Sequence, residues 1–117
     1  MKPAKFEYHA AHGTADAVAL LGQLGEGGKI IAGGQSMGPM MNLRVARPVA
    51  VVDIRAAADL RAVTDDGDDV LIGACVTHGQ IEDGDIPDPS QGMLSHVAGG
   101  IAYRAVRNRG TIGGSVV

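Results

Sequence analysis

Apolar and polar positions alternate along this chain in blocks that change period, and the blocks predict its elements. From Thr14 to Leu24 the apolar residues Ala17, Leu20, Leu21 and Leu24 fall at i, i+3, i+4 and i+7. That spacing predicts an amphipathic helix, with Thr14 as N-cap, Asp16 in the first turn and Gly25 as stop. The β-branched run in KIIAGG predicts a short buried strand, and AGGQS, Ala32 to Ser36, closes it. Pro39 suits the first turn of a short helix running through Asn42 to Val45, because proline there gives up no needed N–H; Ser36 stands just ahead of it.

VAVVDI, Val49 to Ile54, predicts a second strand. LRAVT and VLIGAC on either side of DDGDD predict a hairpin, so the sheet is expected to be mixed. Thr77-His78-Gly79-Gln80 matches a capping box and starts a short helix from His78. IPDPSQ is a loop, and Met93 to Val106 is partly helical, interrupted by Gly99-Gly100. The last residues, Ser115-Val116-Val117, read as the opening of an element that does not follow, which suggests a truncated chain.

Composition narrows the function classes. Hydrophobic residues make up 45% of the 117, yet the aromatics are only Phe6, Tyr8 and Tyr103, so no platform exists for stacking bases. With a net charge of −3, the chain lacks the basic field that nucleic acid demands. Cys75 is the only cysteine, no apolar run approaches a membrane span, and the N-terminus lacks a signal-peptide core. A reducing, cytoplasmic setting is expected.

Glycine is the outlier, 18 of 117 against a usual ~7%, and it comes in doublets between apolar runs. In AGGQS and again in TIGGS, Thr111 to Ser115, a doublet is flanked by small polar side chains. Backbone N–H groups of a glycine turn can point into one concavity and bind anionic oxygens, and a following helix N-terminus adds partial positive charge. Two such segments about 80 residues apart suit a shared diphosphate. The standard nucleotide fingerprints are absent: Gln23 and Ile30 occupy positions where a P-loop around Gly28-Lys29 needs glycine and a hydroxyl residue. Ile30 also replaces the third glycine of a dinucleotide fingerprint starting at Gly25.

Other candidates carry blander readings. His9-x-x-His12 lacks further ligands to complete a metal site, and His78 and His96 stand isolated. Cys75 has no evident base and reads as a small core residue. The acidic residues around Gly67 read as a solvated turn without a calcium-loop pattern. Arg104, Arg107 and Arg109 read as a solvated helix end, a phosphate contact or a docking patch. No catalytic constellation is present.

AGGQS at 32–36, IAYRAVRNRGTIGGS at 101–115, the opening KPAKFEYHAAHGTADAVALL and VDIRAAADL at 52–60 together resemble the FAD-binding medium subunit of bacterial molybdenum hydroxylases, the carbon monoxide dehydrogenase and xanthine dehydrogenase type. The resemblance covers residues 1–117 and implies an α+β fold, the N-terminal portion of an FAD-binding domain of the p-cresol methylhydroxylase and vanillyl-alcohol oxidase type. It implies that the FAD diphosphate is held by Ala32, Gly33, Gly34, Gln35, Ser36, Thr111, Ile112, Gly113, Gly114 and Ser115. Its implied partners are an iron–sulfur small subunit and a molybdenum large subunit, with electrons leaving through FAD. Ser115 stands where many members have Asn, which keeps a donor at shorter reach. The competing expectations are a flavin-free fragment that docks on partner subunits and a small anion-binding module.

Overall fold

The computed structural model describes residues 1–117. The chain divides into two compact units, Met1–Leu60 and Arg61–Val117.

In the first unit, β1 (Glu7–Ala10), β2 (Gly28–Ile31) and β3 (Ala50–Asp53) form a parallel sheet in the order β1-β3-β2. Glu7 pairs with Ala50 on one side of β3, and Gly28 pairs with Ala50 on the other. Strands buried on both faces of a parallel sheet read as continuous apolar runs rather than alternations. All four residues of β3 are buried, with Ala50 and Val52 fully enclosed.

Helix α1 (Thr14–Leu24) joins β1 to β2 and spans the residues its periodicity predicts. Its N-cap is Gly13 rather than Thr14, with no side-chain cap. The Thr14 N–H is instead taken by the Asp59 carboxylate at 3.0 Å, while Asp16 reaches back to accept from the His12 N–H at 2.9 Å. A 3-10 turn (Gly25–Gly27) then leads into β2. Helix α2 (Met37–Asn42) begins after Ser36 as expected but stops short of Val45. Arg44 adopts φ +58°, and its N–H caps the helix on the Met41 carbonyl. Helix α3 (Ala58–Arg61) follows β3.

In the second unit, β4 (Val63–Asp65) and β5 (Val70–Ile72) make the predicted antiparallel hairpin. It forms its own two-stranded sheet, so the expectation of one mixed sheet is corrected: both edges of β3 are already occupied by parallel partners. The helices are α4 (His78–Glu82), α5 (Met93–Gly99), α6 (Arg104–Arg107) and α7 (Ile112–Val116). Val76, Ile81 and Ala98 form the buried centre, packed by Val63, Ile72, Ile86, Leu94 and Ile112. The capping box at Thr77 is present in full: Gln80 N–H donates to Thr77 Oγ1, and Thr77 N–H donates to Gln80 Oε1. No helix is long and apolar enough to cross a membrane.

Candidate functional site

Because the three strands of the first unit are parallel, Ala10, Ile31 and Asp53 end at one edge of the sheet. Ligands of open α/β sheets bind beyond this carboxyl edge. Ala32–Ser36 leaves β2 there. Ile54 N–H donates to the Ile31 carbonyl at 3.1 Å and fixes the start of the loop, while Gly38 N–H donates to the Gly34 carbonyl at 2.9 Å and fixes its end. Gly34 sits at φ +71°, a backbone state that side-chain-bearing residues adopt only with strain.

No acceptor in the chain takes the main-chain N–H of Gly33, Gly34, Gln35, Ser36 or Met37. The Ser36 hydroxyl makes no capping bond, and the Gln35 amide folds back to donate to the Gly33 carbonyl at 3.0 Å. Consecutive unused donors at a strand-to-helix turn form a surface that attracts anions.

A carboxylate at the same edge is neutralised internally. Asp53, 4% exposed, accepts from the Tyr8 hydroxyl at 2.6 Å, from Arg55 Nη2 at 2.6 Å and Nε at 3.0 Å, and from the Arg55 N–H at 2.9 Å. Burial raises its pKa, but the Arg55 and Tyr8 hydrogen bonds and the guanidinium charge outweigh burial and hold the carboxyl at about 2. The same carboxylate pushes the Tyr8 hydroxyl upward, chiefly through their hydrogen bond. Asp53 therefore presents little uncompensated negative charge to a ligand.

Thr111–Ser115 is built differently. Sequence reading treats TIGGS as a glycine turn with main-chain donors, whereas here Thr111 caps helix α7 and every following amide is used. Ile112 N–H donates to the Val76 carbonyl, Gly113 N–H to the Ala74 carbonyl (each 2.9 Å), Gly114 N–H to Thr111 Oγ1 at 3.1 Å, and Ser115 N–H to the Thr111 carbonyl at 3.2 Å. Gly113 lies so close to Ala74 that a β-carbon would approach its Cβ at 2.7 Å. What this segment presents outward is the hydroxyl of exposed Ser115, 3.0 Å from His78 Nε2. His78, read from sequence as isolated, is thus joined to the TIGGS segment. Because the contact spans 37 positions, no local pattern announces it.

The arginine cluster separates into two behaviours. Arg104 pairs with Glu82 at 2.8 Å and forms a two-pronged contact with Asp83; Arg107, 13% exposed, also pairs with Glu82 at 2.8 Å and donates to the Ile101 carbonyl. Both guanidinium groups are occupied in linking α6 to α4, and Arg109 is the exposed one with no such pairing. Cys75 is buried, as expected of a core residue. Asp65 and Asp66 accept main-chain N–H groups of the hairpin turn, all of whose residues are exposed. His9 lies 3.2 Å from Glu7.

The Tyr8–Asp53–Arg55 cluster was not anticipated. An Asp at the end of a buried apolar run with Arg two positions later, as in VVDIR, is the signal that points to it.

The chain matches the family described as the FAD binding domain in molybdopterin dehydrogenase over residues 4–117. The carbon monoxide dehydrogenase medium chain of Hydrogenophaga pseudoflava is 44% identical over 116 residues, 99% of this chain and 40% of that protein. The alpha subunit of the 6-hydroxypseudooxynicotine dehydrogenase complex of Paenarthrobacter nicotinovorans is 39% identical, over 99% of this chain and 39% of that protein. The solved carbon monoxide dehydrogenase of H. pseudoflava that lacks the Mo-pyranopterin moiety superimposes with a TM-score of 0.90 at 42% identity, covering 99% of this chain and 40% of that one. The chain thus spans about 40% of the length of the proteins it matches. It belongs to the family of FAD-binding domains of molybdopterin dehydrogenases.

Proposed function

We propose that this chain is the first portion of an FAD-binding domain of the p-cresol methylhydroxylase type, serving the medium subunit of a molybdenum hydroxylase. In this reading it acts beside an iron–sulfur subunit and a molybdenum subunit, taking electrons from the clusters and passing them to an external acceptor. Ala32–Ser36 and Thr111–Ser115 are the segments that contact the FAD diphosphate.

The observation that carries the proposal is the run of five unused main-chain donors from Gly33 to Met37 at the carboxyl edge of a parallel sheet. These donors fit an anionic diphosphate in three respects. The amides need acceptors, Gly34 supplies the left-handed backbone on which the turn depends, and the one buried carboxylate at that edge is compensated by Arg55. From Thr111–Ser115 the available donor is the Ser115 hydroxyl, since the amides there are engaged. FAD supplies the redox chemistry when bound, and the protein supplies binding and orientation. The residues need therefore include no general base or nucleophile.

Titrating FAD into the isotopically labelled chain tests this. The amide resonances of Gly33–Met37 are expected to shift together with a saturable curve and with quenching of flavin fluorescence. Saturable shifts confined to residues outside Gly33–Met37 would refute the assignment.

A further inference from the structure

His78 is 7% exposed and opens helix α4, with its main-chain N–H donating to the Gly110 carbonyl at 2.9 Å. Its imidazole lies against Gly110 so closely that a β-carbon there would stand 2.9 Å from Nδ1. Nδ1 is buried and has no hydrogen-bond partner, while Nε2 is 3.0 Å from the Ser115 hydroxyl oxygen.

Burial pushes the imidazole pKa down, so the ring is neutral near neutral pH and carries one proton. Two tautomers compete for it. A proton on Nδ1 would leave a buried donor with no acceptor, and Ser115 would have to donate inward. A proton on Nε2 leaves only a lone pair unpaired, the less costly kind of buried orphan, and makes the Ser115 oxygen an acceptor. A hydroxyl has a single O–H. Once its oxygen accepts from His78, that O–H is free to point away from the protein.

We infer that His78 is a positioning residue: its Nε2–H donates to Ser115 Oγ and thereby turns the Ser115 hydroxyl proton outward as a donor to an anionic phosphate oxygen. The inference rests on the reading that Thr111–Ser115 contacts the FAD diphosphate, and it adds to that reading how a segment with no spare amides binds an anion. The resulting O–H···O⁻ contact is of the charge-assisted kind.

Two measurements decide it. Long-range 1H–15N correlation spectra of the unsubstituted chain report the tautomer without any ligand: a protonated Nε2 is expected, and a protonated Nδ1 overturns the inference. FAD titrations then compare variants. Ser115→Ala is expected to weaken FAD binding about tenfold. His78→Asn, whose amide is too short to reach Ser115, is expected to weaken it by a similar factor. His78→Gln, which can place an amide N–H where Nε2 stood, is expected to stay within about threefold of the unsubstituted chain. The His78→Asn, Ser115→Ala double variant should bind no more weakly than Ser115→Ala alone. Intact binding by the unsubstituted chain with additive losses in the double variant would overturn the role of His78 and leave the flavin reading standing. Bound FAD that leaves the Thr111–Ser115 resonances unmoved would overturn the flavin-contact reading and this inference with it, whereas a protonated Nδ1 overturns the inference alone.

Discussion

A carboxylate at the last position of an otherwise apolar, fully buried strand must find compensation nearby, and Asp53 finds it in Arg55 and Tyr8. Its folded pKa of about 2 lies below the ordinary value of 3.8, so the stabilisation is complete above about pH 4 and is lost as pH falls toward 2. The shift corresponds to about 2 kcal/mol. Asp53→Asn should cost about that much at pH 7, and thermal melts from pH 6 to 2.5 should show the gap to the unsubstituted chain closing below pH 4. A gap constant across that range would mean that the carboxylate contributes nothing through its charge. At Gly34, an alanine must enter the left-handed region at a cost of about 1 kcal/mol, and Gly34→Ala should lower the melting temperature as well as FAD affinity. Residue chemistry was legible in the sequence where it is local. The glycine doublets stood out as turn material, but the His78–Ser115 contact depends on a β-bridge between Thr77 and Thr111 that only the folded unit supplies.

Helix α4 is held at both ends by contacts of known type. Thr77→Ala removes the capping hydroxyl and should cost about 1 kcal/mol, read as a lowered midpoint in urea with an unchanged slope. At its far end Glu82 meets Arg104 and Arg107, and of these Arg107 is the better shielded from solvent. Arg107→Ala should therefore destabilise the chain more than Arg104→Ala, and the reverse ranking in thermal melts would contradict this account of the cluster. The capping box was readable because its partners lie three residues apart. Thr14 is not the cap its position suggests: Gly13 holds the N-cap place, and the Thr14 N–H is tied to Asp59, a partner 45 residues away. TIGGS looked like a loop because two glycines discourage helix, yet Thr111 caps it and Gly113 fits against Ala74 where a larger residue would collide. Gly113→Ala should accordingly be strongly destabilising, by about 1–3 kcal/mol, despite its better helix propensity.

Across the whole chain, β2, β3 and the β4–β5 hairpin are legible as apolar runs, but β1, the largely exposed EYHA, and the separation of the strands into a parallel and an antiparallel sheet are not, since periodicity says which face a strand buries and nothing about which strand it pairs with. The family resemblance rests on four segments, AGGQS, IAYRAVRNRGTIGGS, the opening KPAKFEYHAAHGTADAVALL and VDIRAAADL, and the match over residues 4–117 agrees with it. A ligand that binds only the folded form raises stability by mass action; at a hundredfold excess over Kd, FAD should add about 2.7 kcal/mol, a melting shift of roughly 10 °C. The parallel sheet carries a further consequence for how the protein is made. β1 and β2 each pair only with β3, the last of the three to be synthesised. On the ribosome the first two strands therefore emerge with unsatisfied edges and keep them until Asp53 has cleared the exit tunnel, an interval in which exposed strand edges invite mispairing.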